Sequence, residues 1–579
     1  MTRLARIPDW VFLVTFCVVV SLQTLSSVAR KSATFDEPSD LVSGYLELTR
    51  GQYWLKPETL PLVKLVAAAP LLSLHVRTPP LDDDRFKLYD RTLYEFNDGH
   101  TLLMVARAAV LPFSLGLGCL VFLWARRWFG RGAALFALFL YAFEPNLIAH
   151  SALITTDLAV AFLFFLTVYA LFRLVEGISI SRTALVAAAF ALAVVTKLSM
   201  LVLVPLIGLL GLIVSVSPLA IPLTFRSGRA GTLTGRGQKL AAFALVLLVA
   251  SVAAYVVIWA TYRFDYNAAP VFARQLDCPA LRPPATVGSA SFDWLRRGRA
   301  FPEPYLYNFF EHLHISKSIP AFLLGEIRQG GWWYYFIVTL LVKTPVPLLI
   351  LMGLALAVYA TRWRRVPLVG VFLVIPAAVY FGFISASGFN IGHRHLLPIL
   401  PFLITLIGIL IPWAADRGVW AKAGLAVLAI WYLVSSLAIF PHYLAYFNEV
   451  VGGPANGSRY LADSNLDWGQ DLTELERHME RHGINRVWLS YFGAANPDYH
   501  GVRYDRLPGS TFLGRAPVRP DLFALERLPP LRGFVAISVT NLRGVYLPCF
   551  GLSPRYFEAY RDVRPIAKIG YSIYLYRFE

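Results

Sequence analysis

Charged residues are scarce in this chain. Asp, Glu, Lys and Arg make up 15% of its 579 residues, whereas a soluble protein of this size carries about 25%. Hydrophobic residues make up 57%, and the mean hydropathy is +0.56. This composition excludes a wholly soluble protein and predicts a polytopic α-helical membrane protein with, at most, a modest soluble domain.

Cysteine is also rare, with four in the chain, and no spacing among them resembles a zinc site. Cys17 and Cys119 lie in apolar runs, where we expect them to be packing residues. Cys278 and Cys549 both fall outside the cytoplasm in the topology predicted below. A disulfide between them stays open, because sequence alone does not pair cysteines.

Basic residues outnumber acidic ones. The chain has 53 Lys and Arg and 36 Asp and Glu, which gives a net charge of +17. In a soluble protein this excess would suggest nucleic acid. In a membrane protein, Lys and Arg gather in cytoplasmic loops and orient the helices, so we expect no nucleic-acid partner. Phosphate-binding P-loop and dinucleotide-binding glycine patterns are also missing, and nothing predicts a soluble nucleotide site.

Apolar runs of spanning length occur about eleven times. The run 9–28 is long, and Arg30-Lys31 is a poor cleavage context, so we interpret it as an uncleaved anchor instead of a signal peptide. The runs on either side of Lys197 are short and form either two spans or one hairpin, and the number of spans is odd in both cases. The runs after the first are 102–125, 132–148, 153–175, 183–197, 199–216, 240–262, 335–359, 366–386, 395–415 and 420–440.

Basic residues in alternate loops, such as Arg126-Arg127 and Arg364-Arg365, place the N-terminus in the cytoplasm. An odd number of spans then leaves the C-terminal end outside. We therefore predict a membrane domain over 1–440, with outside loops 30–101 and 263–334, and an extracytoplasmic α/β domain over 441–579. Its helix is predicted over 469–482 and its strands over 487–492, 533–539 and 566–578, and an interfacial helix is predicted over 60–74.

The outside segments hold almost every residue that suggests chemistry. Asp36-Glu37 follows the first span and either opens a helix or forms part of a site. Asp157 either caps the next helix or joins that site. His393-Arg394-His395 occupies a short outside turn, where arginine opposes the positive-inside trend and favours an anionic partner over snorkelling.

The polar stretch Asp463 to Asp471 faintly resembles a calcium loop, but its glycine and acidic residues do not stand where such a loop needs them. Two interpretations remain open. It is either a cap and loop before the following helix, or a loop that faces a substrate.

Carboxylates and cations at the outer membrane edge suit a polyprenyl-phosphate sugar, whose tail lies in the bilayer and whose phosphate lies at that edge. Transfer of the sugar requires a base for the acceptor hydroxyl and positive charge for the departing phosphate. A single in-line attack would invert the anomeric centre.

Short motifs occur at Phe35-Asp36-Glu37, Gly44-Tyr45, Lys56-Pro57, Pro61 to Leu65, Glu144 to Asp157, Ile391 to Pro398, Tyr446 to Glu449 and Asp463 to Asp471. Together they resemble glycosyltransferase family 39, which includes the protein O-mannosyltransferases and resembles the aminoarabinose transferase of lipid A. These motifs cover most of the chain, although its middle matches only in hydropathy. The resemblance implies a GT-C-type helical bundle.

The resemblance also implies roles for individual residues. Asp36 would be the catalytic base, Glu37 would support it or contact the sugar, and Asp157 would place the acceptor or donor. The donor phosphate would bind to Lys64, Arg394 and His393. Weaker substrate contacts would come from Lys56, Tyr45, Asp467 and Gln470.

A divalent cation between Asp36 and Asp157 stays open, because the superfamily contains metal-dependent and metal-independent branches. No sugar-binding repeat of the eukaryotic type is present, so the acceptor is either a protein or a glycolipid such as lipid A. The competing hypotheses are a transporter or flippase of lipid-linked sugar and a non-catalytic scaffold. The resemblance and the basic loops favour a bacterial inner membrane.

Overall fold

The structure is a computed structural model that describes residues 7–80, 84–225, 228–267, 289–316, 318–509 and 519–579. Its N-terminal three quarters are almost entirely helical, as expected for a chain so rich in apolar runs. The helices of this part are α1 (Asp9–Val28), α2 (Glu37–Arg50), α3 (Pro61–Ala68), α4 (Arg85–Asp90), α5 (Gly99–Phe129), α6 (Arg131–Ala142), α7 (Pro145–His150), α8 (Asp157–Val175), α9 (Ile180–Val194), α10 (Leu203–Val216), α11 (Arg236–Thr261), α12 (Ser289–Arg297), α13 (Glu303–Ile315), α14 (Tyr335–Lys343), α15 (Val346–Arg362), α16 (Pro367–Val369), α17 (Ile375–Ala386), α18 (Leu400–Ile407), α19 (Leu410–Arg417) and α20 (Val419–Ala438).

Eight helices among the described residues are long and apolar enough to cross a membrane, and a ninth span is formed if the bent pair α14 and α15 counts as one. The predicted multi-pass helical fold is confirmed. Two predicted spans, α6 and α9, are shorter helices of 12 and 15 residues. The predicted span 335–359 is broken by 116° between Lys343 and Val346, because Pro345 lacks the backbone N–H that a continuous helix needs there.

The two ends of the bundle differ in chemistry. At one end, Asp9 pairs with Arg126 and Arg131, and Arg362 pairs with Asp416. The opposite end carries α2, α3, α7 and the C-terminal domain. The segments predicted to lie outside therefore meet at one end of the bundle, which is where the site is found.

Helix α2 is held against α3 by close backbone packing. A Cβ on Gly44 would lie 2.3 Å from the carbonyl oxygen of Lys64, so only glycine fits at this crossing. The predicted interfacial helix forms α3 and a following 3₁₀ turn, Ala69–Ser73. It buries Val63 against its neighbours and leaves Leu72 exposed.

The C-terminal domain is built on a five-stranded sheet in the order β6 (Tyr504–Arg506), β5 (Val487–Ser490), β7 (Gly533–Ser538), β9 (Ile573–Phe578) and β8 (Ala567–Ile569). The predicted helix forms α21 (Leu472–Arg481) and buries Leu472, Leu475 and Met479 as its apolar spacing requires. The short helices of this domain are α22 (Pro520–Phe523), α23 (Val539–Arg543) and α24 (Glu558–Arg561). The strands of the chain are β1 (Ile221–Phe225), β2 (Gly228–Leu233), β3 (Pro320–Leu323), β4 (Glu326–Gln329), β5 (Val487–Ser490), β6 (Tyr504–Arg506), β7 (Gly533–Ser538), β8 (Ala567–Ile569) and β9 (Ile573–Phe578).

The sheet mixes parallel and antiparallel neighbours. Strand β5 runs parallel to β6 and β7, and β9 runs antiparallel to β7 and β8. The sequence did not predict β6, since three residues are too few to show an alternating pattern. The alternative of a Cys278–Cys549 disulfide depends on Cys278, which lies outside the described residues.

The contact at Gly44 gives a stability prediction. Gly44→Ala should force α2 away from α3 and lower the unfolding free energy by about 1–3 kcal/mol, as overpacking does. The loss would appear as a lower apparent Tm of the purified protein in detergent. Gly353→Ala is the matched control, because a Cβ at Gly353 in α15 meets nothing within 4 Å. Equal apparent Tm values for the two variants would contradict the packing argument.

Candidate active site

Asp36 lies at the N-terminal end of α2, at the end of the bundle where the segments predicted to lie outside meet. Its carboxylate is about a quarter exposed, at 28%. One oxygen lies 3.5 Å from the Lys56 ammonium, and the other lies 3.4 Å from a guanidinium nitrogen of Arg394. Burial raises the pKa of Asp36, but the positive charges of Lys56 and Arg394 have the larger effect and lower the pKa of this carboxyl below its ordinary value. Asp36 is therefore ionised at neutral pH.

Arg394 reaches this place from the turn that opens the span 393–417. The same guanidinium nitrogen, Nη1, lies 3.4 Å from Asp36 and 3.8 Å from Asp157. The guanidinium carbon also lies 4.3 Å from the ring centroid of Trp468, in the C-terminal domain. One arginine thus joins the loop after α1, the start of α8 and the C-terminal domain.

Asp157 is the first residue of α8 and is almost fully buried, at 2% exposure. Its Oδ1 accepts a hydrogen bond of 2.9 Å from Lys197, which lies between α9 and the following 3₁₀ turn. The predicted hairpin around Lys197 therefore brings a cation to the site. Lys197 was not among the site residues predicted from the sequence, because no motif includes it.

Lys56 bridges two carboxylates of α2. Its ammonium lies 2.9 Å from Asp40 and 3.5 Å from Asp36, and it donates a hydrogen bond of 2.8 Å to Ser39. Asp36 and Asp40 stand four residues apart and face the same side of α2. Burial raises the pKa of Asp40 to about 6. Lys56 consequently contacts one carboxylate oxygen of Asp36, and Arg394 contacts the other.

Glu37 adjoins Asp36 in sequence but faces the protein interior. Its carboxylate is fully buried and binds Arg107 of α5 through two hydrogen bonds, of 2.9 Å and 2.6 Å. The same carboxylate accepts the backbone N–H of Thr34 at 2.8 Å. Arg107 also donates to the carbonyls of Val28 and Ser32, so this pair fastens the Asp36 loop to the bundle.

Lys64 and Tyr45 lie further along the same helices. Lys64 is 1% exposed, pairs with Glu47 at short distance and donates to the carbonyl oxygen of Lys56 at 3.0 Å. Burial raises the pKa of Glu47 to about 7. Tyr45 is half-buried, with its ring packed against the hydrophobic cluster around α2 and α3. The structure does not bring either side chain into contact with Asp36 or Arg394.

Asp467 and Gln470 act within their own loop. The Asp467 carboxylate is fully buried and accepts the backbone N–H of Thr540 at 2.7 Å, and burial raises its pKa to about 8. Gln470 accepts the backbone N–H of Trp468 at 2.8 Å and donates to the carbonyl of Leu466 at 2.9 Å. Both residues therefore shape the loop that presents the Trp468 ring.

His393 precedes Arg394 and is buried, at 2% exposure. Its backbone N–H donates to the side-chain oxygen of Asn465 at 2.8 Å, which ties the turn to the C-terminal domain. His150, at the end of α7, is also buried, with its ring centroid 6.1 Å from that of Trp468. Burial lowers the pKa of His150 to about 3, so it is neutral.

Among the described residues, no group of three or more His, Cys, Asp and Glu side chains could hold a metal ion. The space between Asp36 and Asp157, where a divalent cation was one alternative, is occupied by the guanidinium of Arg394. In the described part of the site, the positive charge between the two carboxylates is therefore supplied by the Arg394 side chain.

Residues 99–225 match the sequence model of the family described as dolichyl-phosphate-mannose-protein mannosyltransferase. The matched segment begins with α5 and includes Asp157 and Lys197. The chain resembles this family of mannosyltransferases. The resemblance to glycosyltransferase family 39 is thereby confirmed. The matched segment also includes Arg107, the partner of Glu37, and Asp157 is one of the two carboxylates that contact Arg394.

Solved structures of two other proteins are similar to the chain at low identity. ArnT from Cupriavidus metallidurans bound to undecaprenyl phosphate is 15% identical over 98% of this chain and 97% of that one, with a TM-score of 0.43. Its apo state is 14% identical over the same shares, with a TM-score of 0.45. The Archaeoglobus fulgidus oligosaccharyltransferase in complex with zinc and sulfate is 12% identical over 95% of this chain and 70% of that one, with a TM-score of 0.44. No curated protein sequence matches the chain.

The two adjacent carboxylates should respond differently to neutralisation. Glu37→Gln leaves the buried Arg107 without its counter-charge, which should cost about 3–5 kcal/mol of unfolding free energy. Asp36→Asn should change the unfolding free energy little, because Lys56 remains paired with Asp40 and Arg394 remains paired with Asp157. The measurement is the apparent Tm of each purified variant in the same detergent. A greater loss of stability in Asp36→Asn than in Glu37→Gln would contradict this assignment.

Proposed function

We propose that the chain is a membrane glycosyltransferase that moves a sugar from a polyprenyl-phosphate donor to an acceptor hydroxyl outside the cytoplasm, with inversion. The observation that supports this most is the convergence of Asp36, Asp157 and Arg394 at one end of an apolar bundle. A base and a phosphate-binding cation lie within one site there. The match to a mannosyltransferase family over 99–225 supports the same reaction class.

The reaction needs one bond to form and one to break. The acceptor oxygen attacks the anomeric carbon, its proton passes to the Asp36 carboxylate, and the bond from that carbon to the phosphate oxygen breaks with its electron pair on the phosphate. Asp36 is the base in this proposal because it is the partly exposed carboxylate of the pair, whereas Glu37 is fully buried. Glu37 supports it through Arg107.

The phosphate would be held by Arg394 and Lys197. The Arg394 guanidinium has one nitrogen near two carboxylates, and its Nε has no hydrogen-bond partner among the described residues, so donors remain for an anion. Lys197 is one-fifth exposed beside Asp157. Lys64 does not take this role, because it is buried and paired with Glu47. His393 contributes only by its backbone N–H, which holds the turn before Arg394 through Asn465.

Donor binding would also change the proton affinity of Asp36. In the structure Arg394 and Lys56 both hold the pKa of this carboxyl down, and a carboxylate held this way is a weak base. A phosphate that shares the Arg394 guanidinium withdraws part of that positive potential from Asp36. Its pKa would then rise, and the base would become stronger only when the donor is in place.

The acceptor is either a protein or a glycolipid such as lipid A, and we place the chain in a bacterial inner membrane with its C-terminal domain outside.

Transport of a lipid-linked sugar is the second candidate function, and one observation favours it. The α14–α15 pair is broken by 116°, and transporters use broken helices at their binding sites. The convergence of charges at one end of the bundle, away from its middle, favours transfer.

A transfer assay tests the proposal. Purified protein in lipid would be incubated with radiolabelled polyprenyl-phosphate sugars and a membrane extract as acceptor. Asp36→Asn should lower turnover by about 100-fold or more, which is what loss of a general base costs, while donor binding persists. Asp562→Asn, an exposed carboxylate of the C-terminal domain, is the control and should keep full turnover.

Two outcomes would contradict parts of the proposal. Unchanged turnover in Asp36→Asn would remove the base assignment and direct attention to Asp157. Donor movement across the bilayer of sealed vesicles, without any labelled acceptor, would favour the transporter.

The orientation is tested by cysteine labelling in intact cells. His482→Cys, in the C-terminal domain, should react with a membrane-impermeant maleimide, because this domain is placed outside. Arg364→Cys, between α15 and α16, should react only after lysis. Both positions are exposed in the structure, and the unaltered chain gives the background of the native cysteines. The reverse pattern would place the site in the cytoplasm.

A further inference from the structure

The loop Asp463 to Asp471 belongs to the C-terminal domain, yet it lies against the arginine of the membrane domain. The ring of Trp468 is 2% exposed, and its centroid lies 4.3 Å from the guanidinium carbon of Arg394. A cation at this distance from an indole face is attracted to its π electrons, and the attraction grows as water is excluded. The C-terminal domain therefore contributes one wall of the site.

The loop also holds the backbone that carries Arg394. Ser464 donates to the carbonyl of Ile391 at 2.7 Å, and Asn465 accepts the backbone N–H of His393 at 2.8 Å. Gly392 lies so close that a Cβ there would meet the Ser464 hydroxyl at 2.3 Å. The turn before Arg394 is thus fixed by the C-terminal domain as well as by its own span.

The Trp468 ring is itself rigidly placed. Gln470 binds its backbone N–H, and Asp467 ties the loop to Thr540. The following Gly469 has a φ of +85°, and a Cβ there would lie 2.7 Å from the Cα of Gly493, so glycine is required at this bend. These contacts leave the indole little freedom to move away from the guanidinium.

Arg394 gains from such support because its contacts with carboxylates are long and fix the orientation of its guanidinium only loosely. Its two carboxylate neighbours lie at 3.4 Å and 3.8 Å, both from one nitrogen. Arg107, by contrast, grips Glu37 with two hydrogen bonds of 2.9 Å and 2.6 Å. A guanidinium held by an aromatic face keeps its N–H donors free, whereas a bidentate carboxylate consumes them.

We propose that Trp468 is a positioning residue that orients Arg394 towards the phosphate of the donor, so that the C-terminal domain is part of the donor site. This inference rests on the proposed function, in which Arg394 binds that phosphate. It gives the domain over 441–579 a role in the transferase reaction, which the scaffold hypothesis does not.

The test compares Trp468→Leu, Trp468→Phe and Arg394→Ala for the donor KM, for kcat and for binding of undecaprenyl phosphate in nanodiscs. Trp468→Leu should weaken binding and raise the donor KM by about 10-fold, the range expected for a desolvated cation–π contact, with a smaller change in kcat. Trp468→Phe keeps an aromatic face, so its binding should weaken and its donor KM should rise by only about two- to threefold. Arg394→Ala should lose most of the binding.

Trp488→Leu is the matched control, because Trp488 on β5 also carries an arginine over its ring, Arg519 at 5.9 Å, and both are in the same domain. It should leave the KM unchanged. If Trp468→Leu fails to fold, the Trp468→Phe variant decides, and an unchanged KM there would overturn the inference.

The possible failures are distinguishable. Loss of binding in Arg394→Ala with none in the folded Trp468 variants would overturn the role of Trp468 and leave the proposed function standing. Unchanged binding in Arg394→Ala would remove the phosphate assignment, and with it both proposals for this arginine.

Discussion

The contact between the Arg394 guanidinium and the two carboxylates Asp36 and Asp157 is the constraint on which this end of the molecule depends. Each carboxylate comes from a different segment, and neither segment is adjacent to the other in sequence. Two partly desolvated carboxylates that face one another would repel, so a cation between them is what allows both to remain ionised. The positions of the loop after α1, of α8 and of the span 393–417 are therefore linked through one side chain.

The surrounding charges divide into two kinds. Arg107 with Glu37 and Lys64 with Glu47 are enclosed pairs, whose partners leave little capacity for a ligand. Lys56, Lys197 and Arg394 surround carboxylates but keep some exposure, between 8% and 21%. The first kind stabilises the loops, and the second kind forms the site. The exposure of each basic side chain, more than its residue type, distinguishes a stabilising ion pair from a cation of the candidate site.

Much of the architecture was predictable because hydropathy and loop charge act locally. The apolar runs, the α21 face and the strands of the C-terminal domain followed from periodicity. The break between Lys343 and Val346 was missed although Pro345 was visible, because the length of the apolar run suggested one straight span. Strand β6 was missed because its pairing partners, not its own three residues, define it.

In the site, the sequence by itself determined which charged residues stand at the ends of apolar runs. Asp36, Asp157 and Arg394 are recognisable there because a charged side chain at the edge of a membrane span is costly and marks a candidate functional residue. Only the tertiary structure decided the pairing. It turned Glu37 inward onto Arg107, enclosed Lys64, and brought Lys197 and Trp468 to the site. The physical reason is that a side chain is available to a ligand only if no buried partner satisfies it, and such partners come from segments distant in sequence.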